Sequence, residues 1–154
     1  MAVGIAVFCV GTYERSLDDK HRFLLPKPVK LFLREAKSGY LTPGLDGCVE
    51  LHNDESLNRR ASETESSTAS YSDKRSFARL FFSQSEPCEL DGQGRIRIPT
   101  RLVELAELES RITLIGNGSF WEIWDEARWS RYLAERNSEL EPLTHSLNQP
   151  NQPR

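Results

Sequence analysis

The stretch Leu90-Asp91-Gly92-Gln93-Gly94-Arg95-Ile96-Arg97-Ile98-Pro99 has an earlier counterpart, Leu17-Asp18-Asp19-Lys20-His21-Arg22-Phe23-Leu24-Leu25-Pro26. In both, an aliphatic residue precedes an Asp, an Arg follows four positions later, and a short strand-like segment runs to a Pro. The Asp, Arg and Pro of the two stretches each stand 73 residues apart, as do Leu41 and Leu114. A Gly-rich turn follows in each half (Gly44-Leu45-Asp46-Gly47 and Gly116-Asn117-Gly118), and after one deletion Val49-Glu50-Leu51 answers Trp121-Glu122-Ile123. A self-similar period is settled before local propensity, because it decides the architecture. Two copies are too few for a solenoid, which leaves an internal pseudo-dimer. Each copy spans about forty residues, near the size where independent folding fails, so the copies are expected to share one core.

The chain has 154 residues, 38% hydrophobic and 28% charged, a composition that fits a soluble globular protein. No apolar run reaches the ~18 residues of a membrane span. Ala2 to Val10 is apolar but lacks the preceding basic residues and the small-residue cleavage site of a signal peptide, and reads as the lead into a first strand. Cys9, Cys48 and Cys88 are odd in number, widely spaced and without a paired His, so they read as reduced buried thiols of a cytoplasmic protein. Neither a structural metal nor a cofactor is expected.

The net charge of −3 by itself argues against a polyanionic partner, but its distribution argues for one. Lys20, Arg22, Lys27, Lys30 and Arg34 lie in a stretch free of carboxylates, as do Arg95, Arg97 and Arg101. The acidic residues collect in Glu63 to Glu65, Glu104 to Glu109 and Glu135 to Glu141. A local basic face can hold phosphate on an acidic molecule.

Local pattern predicts a short strand over Gly11 to Leu17, a turn at Asp18 to His21 closed by the Asp side chain, and a returning strand that Pro26 ends. Pro28 opens a helix that runs to Ala36, with Gly39 as its terminator. A hairpin follows (Tyr40 to Thr42, Cys48 to Leu51), then a polar helix from an Asn53 cap to about Arg60. Ala61 to Tyr71 carries too little apolar surface to offset ordering and reads as a mobile linker. Ser72 or Asp73 caps a helix with the face Phe77, Leu80 and Phe81. The second copy repeats strand, turn and strand to Pro99, with Thr100 capping a helix over Arg101 to Glu107. A second hairpin follows (Ile112 to Ile115, Phe120 to Trp124), then an Asp125-capped helix bearing Trp129 and Leu133. From about Pro142 the polar end reads as disordered.

Taken together, Gly11-x-Tyr13-Glu14-x-Ser16-Leu17-Asp18-Asp19-Lys20, the repeated Asp-x-x-x-Arg, Gly44-Leu45-Asp46-Gly47-Cys48 and Glu122-Ile123-Trp124-Asp125 resemble the MraZ family of bacterial transcriptional regulators. The resemblance spans Gly11 to Leu133. It implies an α+β fold of two swapped-hairpin β-α-β units of SpoVT/AbrB type, interleaved as a pseudo-dimer with additional helices. The expected divisions are repeat 1 over 12–54, a helical and Ser/Thr-rich linker over 55–85, repeat 2 over 86–129, and the end of a helix with its tail over 130–154. It further implies a nucleoid-associated protein that assembles into ring-like homo-oligomers. These would bind double-stranded DNA at direct repeats upstream of a cell-division and cell-wall operon, without membrane or small-molecule substrate. Carried over residue by residue, the DNA contacts fall on Asp18 and Arg22 and on Asp91 and Arg95. Lys20, Lys27, Arg97 and Arg101 are expected beside them. His21 departs from the family pattern, which has Gly there, and the stretch before Gly11 is longer than the family's usual start, making Met1 a candidate upstream initiation site.

Elementary geometry agrees with that implication. A turn between two short strands suits the major groove, and arginine's planar fork matches a phosphate or the O6/N7 edge of guanine. The alternative for Arg22 and Arg95 is that each closes its own turn through its Asp; the two roles are compatible. For Lys27, Lys30, Arg34 and Arg101 the alternative is a solvated helix face. Two rivals of other classes remain. An enzyme would draw on Asp18, Asp19, His21 and His52, but the second copy lacks the His and the second carboxylate, and there is no nucleotide loop or nucleophile motif. A protein-interaction, antitoxin-like module would use Phe81, Phe82, Trp121 and Trp129 as exposed aromatics.

Overall fold

The computed structural model describes residues 8–33 and 38–150. In chain order the elements of the first half are β1 (Thr12–Ser16), β2 (Arg22–Leu24), α1 (Lys27–Leu33), β3 (Ser38–Pro43), β4 (Val49–His52) and α2 (Asp54–Ser66). After α3 (Tyr71–Phe82) come β5 (Glu86–Glu89), β6 (Arg95–Arg97), α4 (Thr100–Leu105), β7 (Arg111–Gly116), β8 (Trp121–Asp125), α5 (Glu126–Arg136) and α6 (Leu140–Asn148). The fold is mixed α and β with antiparallel sheets.

The repeated strands pair across the two halves. β1 lies against β7 and β5 against β3, so the larger sheet runs β1-β7-β8-β4-β3-β5; β2 and β6 form a separate ribbon. Exchanging each strand for its repeat counterpart reverses that order into itself. The registers correspond as well: Tyr13 lies opposite Leu114, and its counterpart Glu86 opposite Leu41. At the centre Glu50 faces Glu122, and in the ribbon Phe23 faces Ile96.

This pairing builds one core from both halves. Phe23, Leu25, Val29, Leu41 and Leu51 pack in one cluster with Ile96, Ile98, Leu102, Leu114, Trp121 and Ile123. Each such side chain contributes about 1.5–3 kcal/mol on burial, which either half would forfeit alone. The polar floor of this core is partnered at its carboxylates, while Arg60 Nε and Trp121 Nε1 are buried without a hydrogen-bond partner among the described residues. Glu50 is buried and accepts from Arg60 Nη2 at 2.7 and 2.9 Å, while His52 Nε2 lies 2.8 Å from the same carboxylate. Across the axis Glu122 accepts from Trp124 Nε1 at 3.0 Å, and burial raises its pKa despite that bond. Ionising Glu122 therefore lowers stability as pH rises through its folded pKa.

Several expectations are corrected. The polar helix does not stop near Arg60: α2 continues to Ser66, and only residues 67–70 separate it from α3. Tertiary support wins over composition there, because Arg60 lies over the Phe81 and Phe120 rings and Lys74 Nζ bonds to the Glu65 carbonyl at 2.8 Å. Asn53 caps α2 as expected, in a reciprocal box with Ser56, whereas α3 is capped by Ser70 rather than Ser72 or Asp73. Thr100 is the first residue of α4, which begins after Pro99 without a side-chain cap, and Pro142 to Asn148 is helical rather than disordered. Gly39 ends no helix; it lies inside β3, where a Cβ would stand 2.6 Å from the His52 carbonyl oxygen and from Leu33 Cδ2. Trp121 and Phe81 are buried rather than exposed, and Trp129 is half-buried against Trp124 and Tyr132. The lead before Phe8, the helix end at Ala36, Arg34, Lys37 and the last four residues lie outside the described residues. Among the described residues no helix is long and apolar enough to cross a membrane.

Candidate nucleic-acid interface

The site grows from the strand period. In β2 and β6 the central residues Phe23 and Ile96 point into the core, so Arg22, Leu24, Arg95 and Arg97 stand on the outer face. Arg22 lies opposite Arg97 and Leu24 opposite Arg95, which sets the three arginines along one two-stranded ribbon.

Each ribbon strand is entered through the same turn. Asp18 Oδ1 accepts from the backbone N–H groups of Lys20 (2.9 Å) and Arg22 (2.8 Å), and Oδ2 accepts from Arg22 Nε (2.8 Å). Asp91 repeats this with Gln93 N (2.9 Å), Arg95 N (3.0 Å) and Arg95 Nε (3.0 Å). The Arg22 N–H, then its side chain and the Lys20 N–H, hold the Asp18 carboxyl below the ordinary range; Arg95 and Gln93 do the same for Asp91. The turns need a left-handed residue before the Arg, and the chain supplies His21 (φ 59) and Gly94 (φ 79). Positive φ at His21 makes the departure from the Gly pattern a matter of strain rather than of a different turn.

The two turns lie side by side. The Leu25 N–H donates to the Gly94 carbonyl (3.1 Å) and the Ile98 N–H to the His21 carbonyl (2.9 Å). Arg95 Nη1 reaches within 3.7 Å of Asp18 Oδ2, so the carboxylate of one turn lies between both arginines. The turn-closing role is thus real for both arginines. It engages Nε and leaves the Nη groups of Arg22 without a hydrogen-bond partner among the described residues.

The flanking cations divide. Lys20, Lys27, Arg97 and Arg101 are exposed and carry no ion pair among the described residues, as does Lys30. Lys30 approaches the second turn: a Cβ on Gly94 would stand 2.7 Å from its Nζ. Arg15 was not foreseen. Its Nε donates to the Leu24 carbonyl (3.1 Å) and its Nη1 to the Glu14 carbonyl (2.8 Å), which places a further guanidinium beside the ribbon. No repeated signal marked it, because its counterpart is Cys88.

The residues of the enzyme rival separate. Asp18, Asp19 and His21 belong to the turn, while His52 is fully buried between Glu50 and Ser56, with Nδ1 2.8 Å from Ser56 Oγ. That Ser, His and Glu line up, but the Ser56 hydroxyl is held in the α2 cap by the Asn53 N–H (3.2 Å) and is itself buried. Among the described residues no three His, Cys, Asp or Glu side chains converge as metal ligands would. The three thiols are free and buried, and burial pushes Cys9 up to about 12 and Cys88 to about 11, far from a reactive thiolate.

Comparison with known proteins shows the family of the chain. Residues 81–148 match the family model described as "MraZ protein, putative antitoxin-like". A protein named "Transcriptional regulator MraZ" from Heliobacterium modesticaldum is 36% identical over 138 residues, 90% of this chain and 95% of that protein. Proteins of the same name from Alkaliphilus oremlandii and Moorella thermoacetica are 33% and 32% identical over the same shares. The chain belongs to the MraZ family. In this MraZ-family chain the motifs that carried the resemblance fall on β1, the two Asp-x-x-x-Arg turns, the β3–β4 connection and β8.

Proposed function

We propose that the chain is a DNA-binding transcriptional regulator and no enzyme, in keeping with the names of its relatives. The observation that carries this reading is the pair of adjacent Asp-x-x-x-Arg turns, which set Arg22, Arg95 and Arg97 on one ribbon with the uncompensated cations Lys20, Lys27 and Arg101 nearby. In this reading Asp18 and Asp91 aim the arginines, the Nη groups meet phosphate or a guanine edge, and the lysines meet phosphate. The target is double-stranded DNA at direct repeats upstream of the chain's own cell-division and cell-wall operon, and the place of action is the cytoplasm and nucleoid. The repeats at 12–54 and 86–129 are interleaved swapped-hairpin units, 55–85 joins them, and 130–154 follows; the self-reversing strand order supports this.

Assembly into a ring-like homo-oligomer belongs to the same proposal. Among the described residues no strand pairs beyond β1 or β5 at the ends of the larger sheet, and every residue of α6 is exposed, with Leu140, Leu143 and Leu147 on one stripe. Such edges and stripes favour contact between copies. Fluorescence anisotropy with duplexes from the upstream region and with unrelated duplexes tests the function. Arg22→Ala and Arg95→Ala should each weaken the specific complex by about 1–3 kcal/mol while leaving the far-UV spectrum unchanged. Affinity should fall with salt at a slope of about −0.9 per phosphate neutralised. Equal affinity for both duplex types, or none at low salt, would remove the reading in favour of a protein-interaction module.

A further inference from the structure

The pseudo-symmetry of the fold exposes one place where the halves differ in what they hold. In the first half the Arg15 guanidinium lies across two carbonyls, donating to Leu24 (3.1 Å) and Glu14 (2.8 Å). In the second half, 73 residues on, the counterpart of Arg15 is Cys88, that of Leu24 is Arg97 and that of Glu14 is Pro87. There the short thiol leaves a cleft of about 560 Å³ lined by Glu86, Pro87, Cys88, Glu89, Arg97 and Arg101, among others. The Arg22 N–H lies opposite Arg97 in the register but bonds to Asp18 Oδ1 (2.8 Å). The ladder bonds from the Ile98 N–H to the His21 carbonyl and from the Leu25 N–H to the Gly94 carbonyl make Arg22/Arg97 and Leu24/Arg95 non-hydrogen-bonded pairs. The Arg97 carbonyl therefore points away from β2, as the Leu24 carbonyl beside Arg15 points away from β6.

We propose that this cleft binds a small ligand with a guanidinium at one end and a carboxylate at the other, an arginine-like molecule. Its guanidinium takes the place that Arg15 occupies in the other half, donating to the Arg97 and Pro87 carbonyls, with Glu86 and Glu89 adding charge-assisted acceptors that the first half lacks. Its carboxylate faces Arg101 and the Arg97 side chain, whose planar forks suit it. The mixed lining of two acids and two bases, which suits neither a simple anion nor a simple cation, is what such a ligand requires. Because Arg97 stands on the ribbon face and Arg101 follows it in α4 as another proposed DNA contact, an occupied cleft would draw both from DNA.

Titration of the full-length protein with L-arginine, followed by amide chemical shifts, tests the site. Saturable shifts at Glu86, Glu89 and Arg97 are expected with arginine, weaker ones with agmatine, which lacks the carboxylate, and none with citrulline, which lacks the charge. The variant Glu86→Gln/Glu89→Gln should weaken arginine about tenfold or more, the fold-change that follows loss of charged acceptors. Cys88→Arg should fill the cleft from within and abolish the response. Shifts from citrulline equal to those from arginine, or no saturable shifts with arginine, would overturn the proposal.

Discussion

His21 occupies a backbone conformation that its counterpart Gly94 adopts without strain. A side chain in the left-handed region costs about 1–2 kcal/mol, part of which glycine returns as unfolded-state entropy. His21→Gly should therefore raise stability by about 0.5–1 kcal/mol, visible as a higher melting temperature. Gly94→Ala should lower it, since the new Cβ would also crowd Lys30 Nζ. A variant His21→Gly that melts lower than the parent would show that the imidazole makes a stabilising contact of its own. The turn carboxylates supply a second residue-scale test. Asp18 and Asp91 have folded pKa values below their unfolded ones, so their contribution is present above the ordinary carboxylate range and disappears as pH falls through the folded values. Acid titration should open the turns first at their Lys20 and Gln93 amides, and Asp18→Asn/Asp91→Asn should flatten that limb of the stability curve.

At the scale of elements, β3 depends on one residue without a side chain. Gly39 lies between β5 and the α1 end, opposite Cys88, with the His52 carbonyl and Leu33 at its face. Gly39→Ala forces these apart and should cost about 1–3 kcal/mol by chemical denaturation, the range for overpacking a filled interior. An unchanged midpoint would mean that β3 can shift to admit a methyl group. The same neighbourhood explains why the linker reading of Ala61 to Tyr71 failed. Composition recognised few apolar residues, but α2 is held by Arg60, which bonds to the buried Glu50 and covers two aromatic rings, none of which is near it in sequence.

At the scale of the whole molecule, strands of one half complete the sheet of the other, and the halves cannot separate without exposing both sides of one core. Calorimetry should give a single transition with equal calorimetric and van't Hoff enthalpies, and an isolated fragment of residues 12–54 should be unfolded or self-associated. Two resolved transitions, or a folded monomeric fragment, would contradict the shared core. The cross-pairing also brings the two turns together, on which the proposed interface rests. Each turn alone offers a single aimed arginine, whereas the ribbon fixes Arg22, Arg95 and Arg97 relative to one another at strand spacing.

The repeat, the turn chemistry of Asp18 and Asp91, the strands around Phe23 and Ile96, and the caps at Asn53 and Asp125 were legible in the chain. They depend on neighbours within a few positions, and duplication printed each of the turns and strands twice. What only the tertiary structure decided depends on contacts between distant residues. It paired β1 with β7 rather than with β2, buried Trp121 and Phe81, and placed Gly39 in a strand. It also brought Arg15 to the ribbon while leaving a cleft at Cys88. Local pattern reports which face of an element is apolar, but the partner that covers that face is chosen by packing across the fold.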